Sequence, residues 1–74
     1  MKLKEYIKEL NKIIKENPEA KNLTVIYARD EEGNGFEEVY YTPSVGHFND
    51  YEFYTDSDEY FKEKKLKVNS VCIN

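Results

Sequence analysis

The chain has 74 residues, 35% of them charged, and a formal net charge of −4. This length allows one domain, whose small core leaves stability marginal unless packing is good or a partner helps. The acidic balance disfavours direct nucleic-acid binding, and no apolar run approaches the ~18 residues of a membrane span. The charged N-terminus has no apolar signal region. We therefore expect a single domain, 1–74, that is cytoplasmic and has no membrane contact.

The first predicted element is an amphipathic helix from Lys2 to Glu16. Its apolar residues recur every three or four positions and form one stripe: Leu3, Tyr6, Ile7, Leu10, Ile13 and Ile14. Asn17-Pro18 ends the helix because the residue before a proline is disfavoured in the helical conformation. The stripe predicts packing on a sheet, and a dimer seam is the alternative interpretation.

A β-hairpin is predicted next, with strands Leu23–Ala28 and Phe36–Thr42 around an acidic, glycine-containing loop. The first strand is apolar on both faces, which is typical of an interior strand. The second strand alternates, so we expect one side chain set to face the core (Val39 and Tyr41) and the other to face outward (Phe36, Glu38 and Tyr40).

The second half of the chain predicts two more strands and a short helix. Pro43 ends or bends the preceding strand, and Ser44–Phe48 can continue extended beyond it. We predict a third strand over Tyr51–Thr55 and a helix over Ser57–Lys64. A last strand is predicted over Leu66–Ile73. We expect it to be paired inside the sheet, and the first strand is one candidate neighbour.

These elements predict an α+β fold. It comprises a small antiparallel-dominated sheet of about four strands, with the long N-terminal helix packed on one face and a short helix before the last strand.

The loop after the first strand partly follows the calcium-loop pattern D-x-[DN]-x-[DN]-G. Asp30, Asn34 and Gly35 match its first, fifth and sixth positions, whereas Glu32 replaces the usual Asp or Asn at the third. A bidentate glutamate is expected at the twelfth position, where this chain has Tyr41. We interpret the loop as a hairpin turn and predict no metal and no cofactor, with Asp30, Glu32 and Asn34 as the only calcium-ligand candidates.

His47 and Cys72 are the single histidine and the single cysteine of the chain. They are too few for a typical zinc site, and no Ser-His-Asp or Cys-His spacing is present. We interpret His47 as a surface or hydrogen-bonded residue and Cys72 as a small core residue. No catalytic residue follows from the sequence, so we expect that the protein is not an enzyme.

The middle of the chain is both acidic and rich in tyrosine. Residues 30–59 contain ten Asp and Glu but no Lys or Arg. Tyrosine is enriched at protein interfaces because it offers a large contact area and a hydroxyl group. An exposed face of this kind could meet a basic surface on another protein and mimic nucleic acid; the alternatives are stacking on a nucleobase or ordinary core and surface roles. The candidate binding residues are Phe36, Glu38, Tyr40, His47, Tyr51, Glu52 and Tyr54.

Several short motifs resemble those of small uncharacterised bacteriophage-encoded proteins of low-GC bacteria. The matching segments are Leu3–Leu10, Pro18, Val25–Ala28, the D-x-E-G-N-G-[FY] loop Asp30–Phe36 and the V-C-I-N ending Val71–Asn74. The resemblance implies a small accessory protein made inside an infected bacterium, and such proteins are often inhibitors of host defence or host enzymes. It assigns no catalytic or binding residue.

The sequence and this resemblance favour a non-enzymatic phage accessory protein. We expect it to bind a host or phage protein and to inhibit a host protein, as an anti-CRISPR-like counter-defence inhibitor does. One alternative is a nucleotide or cyclic-nucleotide sponge, possibly dimeric, with Arg29 or helix lysines holding phosphate. Another is a structural or interaction domain of no assigned activity. A homodimer is compatible with the two-sided apolar first strand.

Overall fold

The computed structural model describes residues 1–73. Asn74, the last residue of the V-C-I-N ending, lies outside the described residues. The chain divides into two compact units, Met1–Val39 and Tyr40–Asn74. Each unit contains its own antiparallel sheet. We call Met1–Val39 the first unit and Tyr40–Asn74 the second unit.

The first unit begins with the predicted amphipathic helix, α1, over Leu3–Glu16. Asn17 ends it in an extended conformation, and its side chain accepts a hydrogen bond from the Glu19 N–H, which starts a 3-10 turn over Pro18–Asn22. None of the helical residues is buried: the aliphatic members of the stripe remain 39–54% exposed (Leu3, Ile7, Leu10, Ile13 and Ile14). The stripe is therefore only partly covered.

A two-stranded antiparallel sheet completes the first unit. Strand β1 (Ile26–Ala28) pairs with β2 (Phe36–Glu38), with Ile26 opposite Glu38 and Ala28 opposite Phe36. Both strands are shorter than predicted. The expectation of an interior first strand is wrong, because β1 has a strand neighbour on one side only within residues 1–73.

The second unit contains a three-stranded antiparallel sheet in the order β4-β3-β5. Its strands are β3 (Ser44–Asn49), β4 (Glu52–Thr55) and β5 (Ser70–Cys72). The segment after Pro43, expected only as an extension of the preceding strand, is thus the central strand of this sheet. The last strand lies at an edge beside β3 and not beside the first strand. Within residues 1–73 the fold therefore has five strands in two sheets in place of about four in one.

Gly46 explains how Ser44–Asn49, a segment that contains a glycine and a histidine, becomes a central strand. It is the one residue in the buried class among residues 1–73. A Cβ here would collide with the backbone of Tyr54 and Thr55 and with the ring of Phe53. The missing side chain lets the Phe53 ring lie across β3, which is a known way of covering a strand glycine with an aromatic residue.

A short helix, α2 (Glu59–Glu63), precedes β5 as the sequence predicts. Asp58 caps its start by accepting a hydrogen bond from the Tyr60 N–H at 2.8 Å. The helix ends in a Schellman motif, in which the Leu66 N–H donates to the Phe61 carbonyl and Lys65 adopts a positive φ of 52°.

The α+β class is confirmed by this arrangement of an N-terminal helix, antiparallel strands and a short helix before the last strand. No helix within residues 1–73 is both long and apolar enough to cross a membrane.

Candidate functional site

The tip of the β3–β4 hairpin presents a tyrosine to solvent. Asn49 pairs with Glu52, so Asp50 and Tyr51 form a two-residue turn. Asp50 adopts a positive φ of 56°, which a short polar side chain tolerates. The Tyr51 side chain is 99% exposed. An acidic residue on each side of it, Asp50 and Glu52, gives the tip a negative charge.

Tyr54 lies two residues beyond Glu52 and supports the hairpin from one face. Its hydroxyl donates a hydrogen bond to the Glu52 carboxylate, and its ring packs on Tyr60 of α2 with a centroid distance of 4.5 Å. The hydrogen bond to Glu52, with partial desolvation, raises the pKa of Tyr54 to about 12. Lys64 places its Nζ 5.9 Å from the Tyr60 centroid. Tyr54 is thus half-buried and acts as a support for the tip.

His47 lies directly opposite Tyr54 on β3 and is half-buried. Its Nδ1 is 2.8 Å from the Lys67 carbonyl oxygen, so Nδ1 donates to that carbonyl. Cys72 pairs with Ser44, so these two side chains point to the same face of the sheet. His47 is three residues after Ser44 on β3, and side chains alternate along a strand, so His47 points to the face opposite to Cys72. The histidine and the cysteine therefore do not form a nucleophile–base pair.

Asn69 fixes the hairpin to the segment that leads into β5. Its side-chain oxygen accepts from the Phe48 N–H at 2.8 Å, and its side-chain amide donates to the Phe48 carbonyl at 3.0 Å. Its own backbone N–H donates to the Gly46 carbonyl at 2.9 Å. Asn69 thus extends the hydrogen bonding of β3 beyond the last paired residues of β5.

Two further tyrosines of the second unit are highly exposed. Tyr40 and Tyr41 are each 77% exposed in the segment between β2 and Pro43. The prediction that Tyr41 faces the core is wrong, because the strand alternation on which it relied ends at Glu38. Val39, its expected companion, is half-buried.

Phe36 and Glu38, the remaining candidate binding residues, lie on β2 in the first unit. Both are exposed, and they stand opposite Ala28 and Ile26 of β1. Glu37 between them points to the other face. There its carboxylate accepts a hydrogen bond from the Tyr27 hydroxyl at 2.8 Å and lies 3.7 Å from the Arg29 guanidinium.

The candidate calcium ligands are occupied by turn hydrogen bonds. The Asp30 carboxylate accepts from the Asn34 N–H at 3.0 Å, and this bond is the main reason that the pKa of Asp30 lies below its ordinary value. The Asn34 side chain donates to Glu32 at 3.2 Å, and Gly33 supplies a positive φ of 71°. Among residues 1–73 no group of three or more His, Cys, Asp or Glu is arranged to hold a metal.

The structure brings together only part of the predicted candidate set. Glu52, Tyr54 and His47 share one face of the β3–β4 hairpin, and Tyr51 projects from its tip. Phe36 and Glu38 belong to the other unit and form a separate exposed patch. Sequence reasoning missed Tyr60 and Asn69 as supports of the hairpin. Tyr60 lies in the predicted helix over Ser57–Lys64, but no local pattern places it against Tyr54, and Asn69 gave no local signal either.

Comparisons with protein-family models, with curated proteins and with solved structures found no match.

Proposed function

We propose that this protein is a non-enzymatic binding protein that acts in the cytoplasm of an infected bacterium by engaging a host protein and inhibiting it. The observation that carries the proposal is Tyr51, which is 99% exposed at the tip of a hairpin held by hydrogen bonds on both sides of its central strand. The partner surface is basic, of the kind that binds nucleic acid.

An exposed tyrosine on a two-residue turn between paired strands suits an interface anchor on energetic grounds. The two-residue turn already orders the backbone at Tyr51, so binding has less conformational entropy to remove. A tyrosine contributes a large apolar area and a hydroxyl, and such anchors dominate measured binding energies. Asp50 and Glu52 complement a basic partner, which raises the association rate and excludes acidic surfaces.

The surroundings of His47 and Cys72 support a role without catalysis. The histidine Nδ1 is engaged by the Lys67 carbonyl, and the cysteine lies on the opposite face of the sheet. The alternative role, sequestering of a nucleotide, requires cations for phosphate. Arg29, the only arginine, lies beside Glu37. Its charge is therefore partly compensated, which disfavours Arg29 as the residue that holds phosphate.

The proposal is tested by capturing partners from infected-host lysate on immobilised protein and identifying them by mass spectrometry. Wild-type protein is compared with Tyr51→Ala and with Asp50→Asn, which removes one of the two negative charges of the tip but keeps a residue that tolerates positive φ. Phe36→Ala removes an exposed aromatic from the first unit and serves as the matched control.

We expect one host protein to be retained by wild type and by Phe36→Ala, but depleted with Tyr51→Ala. Retention by all variants would contradict the hairpin tip as the contact, and loss with Phe36→Ala alone would move the contact to β2. A thermal-shift screen with nucleotides and cyclic dinucleotides tests the alternative role, sequestering of a nucleotide. A clear rise in unfolding temperature with one of them would favour the sequestering role.

A further inference from the structure

The outer edge of β1 has no paired strand in the part of the chain that the structure describes. Val39 N–H donates to the Val25 carbonyl and Arg29 N–H donates to the Gly35 carbonyl, so the backbone of these odd-numbered positions faces β2. In an antiparallel ladder the intervening residues point their N–H and C=O groups the other way. Thr24, Ile26 and Ala28 therefore direct their backbone groups away from β2, where β1 has no strand neighbour within residues 1–73.

Nothing in the sequence of this edge opposes pairing with another strand. Proteins protect edges with Lys, Pro, bulges or inward charges, but Leu23–Ala28 contains neither charge nor proline. Leu23, Val25 and Ile26 are 67%, 66% and 54% exposed. A short, uncharged, β-branched segment with an open edge favours addition of a further strand.

The charges around β1 favour a second copy of this chain, in antiparallel orientation, as the added strand. Lys21 lies in the 3-10 turn before β1, whereas three acidic residues, Asp30–Glu32, lie in the loop after it. With a two-fold axis at Ile26, the lysine end of each β1 meets the acidic loop of the other copy. A parallel pairing would instead place the two Asp30–Glu32 loops side by side.

We propose that two copies of the protein associate through β1, forming a continuous four-stranded antiparallel sheet in the order β2-β1-β1-β2. Ile26 of one copy pairs with Ile26 of the other across the two-fold axis. This interface belongs to the first unit and is independent of the binding role proposed for the Tyr51 tip. The assembly thereby displays two copies of that tip.

The interface is tested by analytical ultracentrifugation over a concentration series of the full chain. Wild type shifts from monomer to dimer mass as concentration rises. Ile26→Lys places two ammonium groups opposite each other and weakens the association by about tenfold or more. Glu38→Lys, on the paired strand opposite Ile26, adds a lysine away from the axis and leaves the association within about twofold of wild type.

A charge-swap mixture separates a lost interface from a misfolded variant. Ile26→Lys and Ile26→Glu each associate weakly alone, whereas an equimolar mixture places opposite charges across the axis and recovers the dimer. In a Cys72→Ser background, Ile26→Cys forms an intermolecular disulfide on oxidation and Glu38→Cys does not. A wild type that stays monomeric at every concentration overturns the proposal. So does a dimer that persists in Ile26→Lys, or a mixture that fails to recover association.

Discussion

The two hairpins of this small chain differ in how their turns and strands are stabilised. The β1–β2 hairpin has a long loop ordered by side chains, above all by Asp30 and Asn34, and its sheet has two strands among the described residues. The β3–β4 hairpin turns in two residues, and its central strand is bonded on both sides. The first therefore leaves a strand edge open, while the second leaves an aromatic tip exposed on a supported backbone.

This difference separates two kinds of interaction surface. An open edge recognises backbone groups, so it suits a strand of any compatible sequence, including its own. An exposed tyrosine between carboxylates recognises side chains, so it suits a specific basic surface. We infer self-association in the first unit and partner binding in the second for this reason.

Substitution of Gly46 is expected to have the largest effect on the second hairpin. Gly46→Ala forces a Cβ against the backbone of Tyr54 and Thr55, and we expect a loss of about 3 kcal/mol from the free energy of unfolding. Gly33→Ala in the first hairpin, where only the positive φ is at issue, costs about 1 kcal/mol. Amide hydrogen exchange measures both variants. Equal protection losses in β3 for the two would contradict the assigned role of Gly46.

Removal of the Asn69 side chain tests the support of β3 on the β5 side. Asn69→Ala leaves both backbone groups of Phe48 without this partner, and we expect a loss of about 1–2 kcal/mol. Asn34→Ala, which removes one exposed side-chain hydrogen bond in the first hairpin, is the control and costs a few tenths of a kcal/mol. Urea unfolding compares the two; an Asn69→Ala midpoint equal to that of the control would be inconsistent with the bidentate bond.

A stabilising substitution is expected at the end of α2. Lys65 occupies the left-handed position of a Schellman motif, where glycine is preferred. Lys65→Gly removes the strain of its side chain and should raise the free energy of unfolding by about 0.5–1 kcal/mol, whereas Lys62→Gly inside the helix should lower it by a similar amount. Thermal unfolding followed by circular dichroism measures the two shifts, and shifts of the same sign would refute the motif.

The hairpins should respond to opposite ends of the pH scale. The raised pKa of Tyr54 gives the folded state a stabilisation that is complete below pH ~10 and is lost as pH rises to about 12. The lowered pKa of Asp30 gives a stabilisation present above pH ~4 and lost as pH falls through the folded-state pKa. Amide exchange across pH measures both losses of stability, in β4 for Tyr54 and in the Asp30–Gly35 loop for Asp30. The control variants Glu52→Gln and Asp30→Asn should abolish the corresponding pH dependence.

The elements set by local chemistry could be predicted from the sequence. The apolar spacing of α1 and the Asn17-Pro18 stop give a helix that the structure places at Leu3–Glu16. The helix predicted from Ser57 starts two residues before α2, which the structure begins at Glu59. Both signals depend on neighbours within one helical turn, so no knowledge of the tertiary fold is needed.

Strand partners could not be predicted, because pairing joins residues distant in sequence. Pro43, Gly46 and His47 all weaken a strand signal, yet Ser44–Asn49 is the central strand because Phe53 covers the glycine and Asn69 completes its hydrogen bonding. The candidate site shares this limit: Tyr51 was identified from composition alone. Its position at the tip depends on the pairing of Asn49 with Glu52, whereas the sequence predicts Tyr51 as the first residue of a strand.

The affinity of the captured host protein for hairpin variants tests the proposed binding role most directly. Isothermal titration calorimetry compares wild type, Tyr51→Ala and Phe36→Ala, each first verified as folded by circular dichroism. Truncation of an anchor costs at least about 2 kcal/mol, so Tyr51→Ala should weaken binding about thirtyfold while Phe36→Ala stays within about twofold of wild type. Equal affinity of wild type and Tyr51→Ala would contradict binding through the β3–β4 tip.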